Sequence, residues 1–311
     1  MATQLTAVDL FAGLGGNSEG ATQAGVRVVR AANHWPEAVR VHALNHPEAE
    51  HDCQDLQQCN FNEWPDFDIM LASPACQGHT SARGTERPHH DATRSTAWAV
   101  IACAEAKKPK ALMVENVVDF ARWTLFGQWR SCLEILGYTL HLNVLNSADF
   151  GVPQSRKRLF VTGVHRSVSN CPVVIKPPML PHVAAETVID WDAPARWSSV
   201  QDKVEATRKR WANGKQALGY DFLMAYFGKE NGGRSLAKPL GTVLTKDRYA
   251  LVRGDQMRML QVNEYKKAMG FRDNYLLPSA HKTALHLLGN AVVPAVTKFA
   301  CETFIAHLNA A

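Results

Sequence analysis

The amino-acid sequence predicts an α/β fold, a parallel sheet flanked by helices, with a second, smaller domain. Three observations predict it. Up to Val164, short β-rich runs alternate with helical segments, the rhythm of a sheet covered on its faces by helices. Beyond Val164 the rhythm stops: Pro172, Pro177, Pro178, Pro181 and Pro194 crowd together while tryptophans and basic residues accumulate. From Met257 the helical pattern returns.

LTAVDLF (5–11) reads as the first strand, running into the turn AGLGGN (12–17). SEGATQAG (18–25) reads as a helix stopped at Gly25, VRVVRAAN (26–33) as the second strand, and PEAVRVHALN (36–45) as a helix with Pro36 in its first turn. FDIMLAS (67–73) reads as a buried strand, and the polar segment 74–91 as an exposed loop. A helix near 93–107, the strand ALMVEN (111–116), a helix across 120–136 and the strands YTLHLNVLN (138–146) and RLFVTGV (158–164) follow. The proline-rich region reads as irregular. RMLQVNEYKKAMGF (258–271) reads as helical, and a long amphipathic helix is expected from near Asn290. The expected division is a first domain of 1–165 with 255–311, and a second of 166–254.

At 311 residues, 46% hydrophobic and 20% charged, the chain has the balance of a globular protein with a sizeable core. Its seven cysteines lack any CxxC pair, which argues against a disulfide framework and a zinc site. The apolar runs fall short of a membrane helix and MATQLTAVDL lacks a signal peptide's plan, so a cytoplasmic, nucleoid-associated protein without a membrane partner is expected. Net charge is only +5, but positions 196–234 hold eight Lys or Arg against four Asp or Glu, interleaved with Trp197, Trp211, Tyr220, Tyr226 and Phe227. Such a mixture can pair with phosphates and stack on bases, or it can be a solvated basic face.

Several chemically capable residues would meet at one sheet edge. Gly13, Gly15 and Gly16 follow the first strand, where open α/β sheets bind ligands. Their spacing is FxGxGG, a poor fit to a dinucleotide fingerprint. Cys76 follows FDIMLAS, Glu115 and Asn116 follow ALMV, and Gln154, Arg156 and Arg158 lead into RLFVTGV. Each alone has a structural reading: a buried thiol, a capping carboxylate, a basic surface.

Together they resemble the cytosine-C5 DNA methyltransferase family, bacterial or phage type. The motifs are FAGLGG (11–16), a Pro-x-Cys-Gln variant (74–77), ENV (115–117), QSRKR (154–158), RMLQVNEYKKAMGF (258–271) and GNAV (289–292), in family order over nearly the whole chain outside the basic segment. That segment sits where the family places its target-recognition region. The resemblance implies a Rossmann-like, S-adenosylmethionine-dependent sheet, double-stranded DNA as partner, a monomer, no metal, and a cognate restriction endonuclease where the enzyme serves a restriction-modification system.

The chemistry calls for these residue types. Cytosine C5 is a poor nucleophile until a thiolate adds to C6, so a soft nucleophile that can later leave is needed; the resemblance assigns this to Cys76. Glu115 would supply a proton at N3, and Arg156 and Arg158 would hold O2 and the neighbouring phosphate. Gln77, Asn116 and Gln154 fall among the substrate-binding positions. The base must leave the stack, and the loop 77–91 would close over it; His89 and His90 read as loop contacts or solvent-exposed side chains rather than metal ligands. For the donor, Phe11 would stack on the adenine opposite Trp35, and Gly13, Leu14 and Gly16 would admit the methionine end. Asp55, beside Leu56, would accept from the adenine amine, while Asn290 and Ala291 would open the last helix and complete the pocket.

Three positions depart from the family pattern. His34 stands where a glutamate usually grips the ribose, and an imidazole accepts one bond in place of two. Ala75 stands in place of the proline before the nucleophile, and Leu287 in place of a glutamine. Two alternatives follow: a catalytically silent DNA-binding relative, and an RNA cytosine-5 methyltransferase, although the Cys-Phe-Thr signature of the tRNA-modifying relatives is absent. A nucleotide-dependent oxidoreductase would leave QSRKR and GNAV unexplained.

Overall fold

The computed structural model describes residues 4–75, 95–228 and 230–310. Two units divide the chain: Met1–Asn146, Lys157–Pro178 and Ala291–Ala311 form the first, Ser147–Arg156 and Met179–Asn290 the second.

In the first unit β1 (Thr6–Leu10), α1 (Gly16–Gln23), β2 (Arg27–Asn33), α2 (Pro36–Asn45), β3 (Glu50–Cys53), β4 (Ile69–Ala72), α3 (Trp98–Lys107), β5 (Ala111–Asn116), α4 (Phe126–Ile135), β6 (Tyr138–Asn146) and β7 (Lys157–His165) follow in order. The sheet order is β3-β2-β1-β4-β5-β7-β6, with β7 antiparallel to both neighbours. β4 and β5 are buried along their whole length, which is why IMLA and ALMV are continuous apolar runs. β3, a short polar edge strand of sequence EHDC, has no hydrophobic period and escapes sequence reading. The helix expected over 120–136 breaks into a 3₁₀ turn, Val118–Arg122, and α4. Phe120 there packs 5.3 Å from the Trp129 ring and 5.8 Å from that of Trp123, and this aromatic packing turns the chain before α4. The buried tips are satisfied: Trp129 Nε1 donates to the Ala97 carbonyl and Tyr138 Oη to that of Pro109, each at 2.9 Å.

The proline-crowded stretch 172–197 is irregular as expected, apart from a 3₁₀ turn at Ala185–Val188, but the second unit beyond it is built of regular elements. β8 (Ser198–Ser199), α5 (Glu205–Leu218), β9 (Asp221–Ala225), β10 (Gly233–Arg234), β11 (Tyr249–Arg253) and β12 (Gln256–Met259) precede α6 (Val262–Ala268) and α7 (His281–Asn290). The strands form an antiparallel sheet of order β10-β9-β11-β12-β8. Among the described residues no strand here exceeds five residues, too few to establish a period among the prolines and tryptophans. Arg258 and Met259 belong to β12, not to a helix. Arg258 makes a two-pronged pair with Glu264, at 2.7 and 2.9 Å, with both side chains 1% exposed. Glu264 also accepts from the main chain of Gln261 and Asp190. Glu264→Ala would strand a buried guanidinium, so it should cost about 3–5 kcal/mol in denaturant unfolding.

The expected domain boundaries, after 165 and after 254, fall elsewhere. Residues 147–156 join the second unit because Ser155 N donates to the Leu240 carbonyl (2.7 Å) and Leu240 N to that of Pro153 (3.0 Å). Residues after 165 stay with the first sheet, where Ile175 N donates to Asn143 Oδ1 and Thr162 Oγ1 to the Val173 carbonyl.

The last helix, α8 (Pro294–Asn309), begins four residues later than expected, and Asn290 closes α7 instead of opening α8. Pro294 forces this, since its ring would clash with the carbonyl four residues earlier in a continuous helix. The stretch His281–Asn309 contains a window apolar enough to span a membrane, but 72% of it is buried inside the protein. α8 packs on α1, where a Cβ on Gly16 would overlap the Val292 carbonyl and one on Gly20 would lie 2.7 Å from Thr297 Cβ. Gly16→Ala should destabilise the first unit by about 1–3 kcal/mol, read as a lowered thermal midpoint.

Candidate active site

The strand register aligns one edge. Leu10 pairs with Ala32 and Ala72, Ala32 with Asp52, and Ala72 with Val114, so the carboxyl ends of β1 to β5 lie together. The chain reverses its spread between β1 and β4, the switch point at which such sheets bind ligands.

At that point the backbone is unusual. Phe11 (φ 61°), Gly13 (φ 56°) and Gly15 (φ 92°) all adopt left-handed conformations. For Phe11 this is strain of about 1–3 kcal/mol, held by the surrounding bonds. Ser73 Oγ donates to the Phe11 carbonyl (3.3 Å), Ser73 N to that of Leu10 (3.1 Å), and Ala12 N to that of Ala32 (3.0 Å). Leu14 is buried beneath the turn. The glycine expectation is refined here: Gly13 needs its φ, whereas Gly16 admits Val292.

On the β2 side His34 is exposed, and Trp35 N donates to Asn33 Oδ1 (2.9 Å). Asp55 caps the following 3₁₀ turn by accepting from Gln57 N (3.0 Å), while Leu56 is buried.

On the β4–β5 side, Cys76 and Gln77 lie outside the described residues, as do His89 and His90. The segment leading to them is anchored. Asn116 Nδ2 donates to the Pro74 carbonyl (3.1 Å), and Ala75 N donates to Thr96 Oγ1 (3.2 Å). Asn116 Oδ1 also accepts from Val117 N, so both ends of this side chain hold main chain. Glu115, 6% exposed, lies with Oε1 3.4 Å from Arg158 Nε. The antiparallel pairing of Asn116 with Leu159 sets that proximity.

Glu115 and Arg158 are therefore brought together, while Arg156 and Gln154 work inside the second unit. Arg156 donates to the carbonyls of Val243 (3.1 Å) and Gly289 (2.9 Å). Gln154 donates to Met269 Sδ (2.8 Å) and accepts from Val243 N (2.9 Å). Gly289 is needed there, because a Cβ would overlap the Leu244–Thr245 peptide.

Much of the basic and aromatic mixture is self-paired. Arg253 lies 4.5 Å from the Trp191 ring, Arg210 4.9 Å from Tyr226 and Lys215 4.9 Å from Trp211. No group of three metal-capable side chains occurs among the described residues.

Sequence reasoning missed Thr96 and a buried polar cluster around Asp9. The visible signal for the latter was an aspartate inside the apolar run LTAVDLF.

A family model described as C-5 cytosine-specific DNA methylase matches residues 5–306. The chain belongs to this family. The methylase is 26% identical to the type II methyltransferase M.HhaI of Haemophilus parahaemolyticus, covering 99% of this chain and 96% of that one. It is 27% identical to M.NlaX of Neisseria lactamica, covering 97% of each. Its fold matches that of a DNA modification methyltransferase encoded within an E. coli prophage, with a TM-score of 0.75, 18% identity and coverage of 98% of this methylase and 100% of that chain. The α/β expectation holds, with one strand of the large sheet reversed.

Proposed function

We propose that this methylase transfers the methyl group of S-adenosylmethionine to C5 of a cytosine flipped out of duplex DNA, with Cys76 bonded transiently to C6. The observation that carries the reading is the buried Glu115 carboxylate, paired with Arg158 and set beside the anchored Pro74–Ala75 segment that leads directly to Cys76. The left-handed Phe11–Gly15 turn at the switch point exposes main chain to a ligand, and Phe11, Trp35 and Asp55 border the same edge, so these residues fit the donor. When bound, S-adenosylmethionine supplies an electrophilic methyl on sulfur.

The chain's own groups do the rest. The Cys76 thiolate adds to C6 and breaks the ring's aromaticity, which makes C5 nucleophilic. Glu115 places a proton at N3, where the negative charge develops, and Arg158 holds Glu115 in position beside O2. After C5 is methylated, its proton passes to water, the C5–C6 double bond re-forms as the C6–sulfur bond breaks to release the Cys76 thiolate, and the N3 proton returns to Glu115. Arg156 and Gln154 support this at a distance by fixing the main chain of the second unit.

Target recognition falls to the second unit, with double-stranded DNA as partner in a cytoplasmic, nucleoid-associated setting and a restriction endonuclease as companion. If about six phosphates are paired, affinity for duplex should fall about 10³-fold between 50 and 200 mM salt; a flat response in a filter-binding titration would remove the phosphate argument. The activity is tested by incubating the protein with duplex and labelled donor, then bisulfite sequencing of the product. Modified cytosines at a defined site support the reading, while DNA binding without label transfer would overturn it.

A further inference from the structure

A continuous chain of polar side chains runs from the donor-site corner to the protein surface, beside a buried polar patch that also holds Asn17, Glu19, His46 and Thr297. Asp9, in β1, is fully buried. Its carboxylate accepts from Ser18 Oγ (2.8 Å), Ser18 N (3.1 Å) and Asn17 Nδ2 (3.4 Å), all in the first turn of α1. Asn17 is held in turn by Thr297 Oγ1 from α8 (2.9 Å). Ser18 Oγ lies 3.0 Å from His42 Nε2, and His42 Nδ1 lies 2.8 Å from Nε2 of His51. Ser18 and His42 are buried, and His51 is part-exposed.

The direction of each bond follows from counting donors. With Ser18 Oγ–H committed to the carboxylate, the hydroxyl must accept from His42 Nε2–H. His42 is then a neutral ring with a bare Nδ1, which accepts from His51 Nε2–H. Neutrality agrees with its surroundings, since burial, with His46 and His51 adding to it, holds His42 well below the usual imidazole range. Burial pushes Asp9 the other way, up to about 7, against the bonds from Ser18 and Asn17. His51 is lowered by burial, while the Ala49 backbone and the charges of Asp52 and Glu48 favour its protonated form. The remaining titratable neighbours are Glu19 on α1, His46 at the C-terminal cap of α2, which lies 3.9 Å from Glu19, and Cys301 on α8, whose thiol burial drives up to about 12.

We propose that Asp9, Ser18, His42 and His51 form a proton relay through which solution pH sets the charge on Asp9, and with it the hold of the β1–α1 corner on the methyl donor. Asp9 and Ser18 are thereby positioning residues. The inference rests on the reading that this corner binds S-adenosylmethionine.

The proton balance is simple. One proton enters at His51 Nδ1; His51 passes its Nε2 proton to His42 Nδ1, His42 passes its Nε2 proton to Ser18 Oγ, and Ser18 passes its hydroxyl proton to Asp9 Oδ2. His51 ends neutral, Asp9 ends as the acid, and every bond in the chain points the opposite way. The acid accepts more weakly from Ser18 N and Asn17 than the carboxylate does, and it no longer offers a negative charge to the amino end of α1. The turn that precedes α1 is then less firmly held. Donor binding favours the ionised form, so affinity falls as pH drops.

The test uses the full chain and two readouts. Calorimetric titration with S-adenosylmethionine from pH 5.5 to 8.5 should show the wild type losing affinity by up to about tenfold per pH unit below its midpoint. Asp9→Asn should retain only the dependence of the donor's own amino group, and Ser18→Ala, which removes one bond to the carboxylate, should move the midpoint upward. Nitrogen-resolved NMR of the imidazoles, without donor, should show His42 protonated at Nε2 at high pH and at Nδ1 at low pH, a change that Ser18→Ala abolishes. Parallel affinity curves for wild type and Asp9→Asn, or a His42 tautomer indifferent to pH, would overturn the relay. If no form of the protein binds the donor at any pH, the donor reading fails, and the His42 tautomer alone decides the relay.

Discussion

Exchange of Cys76 for serine is expected to lower turnover by about 10⁴- to 10⁶-fold, the scale on which removal of a covalent nucleophile acts in enzymes where it has been measured. A hydroxyl is ionised far less readily than a thiol, so its attack on C6 is slow and its later departure is slower. The anchoring bonds of the preceding segment, Asn116 to Pro74 and Ala75 to Thr96, do not involve the thiol, so duplex binding should change by no more than a few-fold. The decisive measurement pairs single-turnover methyl transfer with mass spectrometry of the protein mixed with a fluorinated-cytosine oligonucleotide. The wild type should yield a stable adduct at Cys76 and the serine variant none. Turnover within tenfold of wild type in the variant would end the covalent assignment.

Glu115→Gln should slow methyl transfer by about 10² to 10⁴-fold, the usual contribution of a positioned acid. Glutamine keeps the size of the side chain but cannot present an acidic proton to N3, and it leaves Arg158 without its carboxylate partner at the end of β5. Because Arg158 sits at the sheet surface with 17% of its side chain exposed, water can compensate it, so the fold should survive and the loss should appear in the rate rather than in the unfolding midpoint. Equal rates for the two proteins, at saturating DNA and donor, would remove Glu115 from the reaction.

The parts of the molecule legible in the sequence are those where a local pattern and a tertiary role coincide. β4 and β5 are buried on both faces and so are written as unbroken apolar runs, and the residues at their ends fall where those runs stop. Glu115 and Arg158 were readable as neighbours for that reason. Arg156 and Gln154 were not readable as main-chain clamps, because their partners Val243, Gly289 and Met269 lie roughly 90 to 130 residues away and leave no mark near QSRKR. The antiparallel sheet of the second unit escaped for a different reason: a five-residue strand such as DFLMA has room for only two alternations. The relay from Asp9 to His51 joins four separate elements, each contributing one polar residue that looks incidental in its own stretch of sequence.

The seating of α8 on α1 has a bearing on biosynthesis. α1 is made early, yet the surface it offers through Gly16 and Gly20 is covered only by residues roughly 270 positions further along. At ribosomal speeds of about 5 to 20 residues per second, the amino-terminal strands wait on the order of 15 to 55 s for their closing partner. During that interval the nascent protein leaves the close-packing glycine surface of α1 uncovered, so chaperone capture and folding yield should respond to substitutions in α8 before any enzymatic step does.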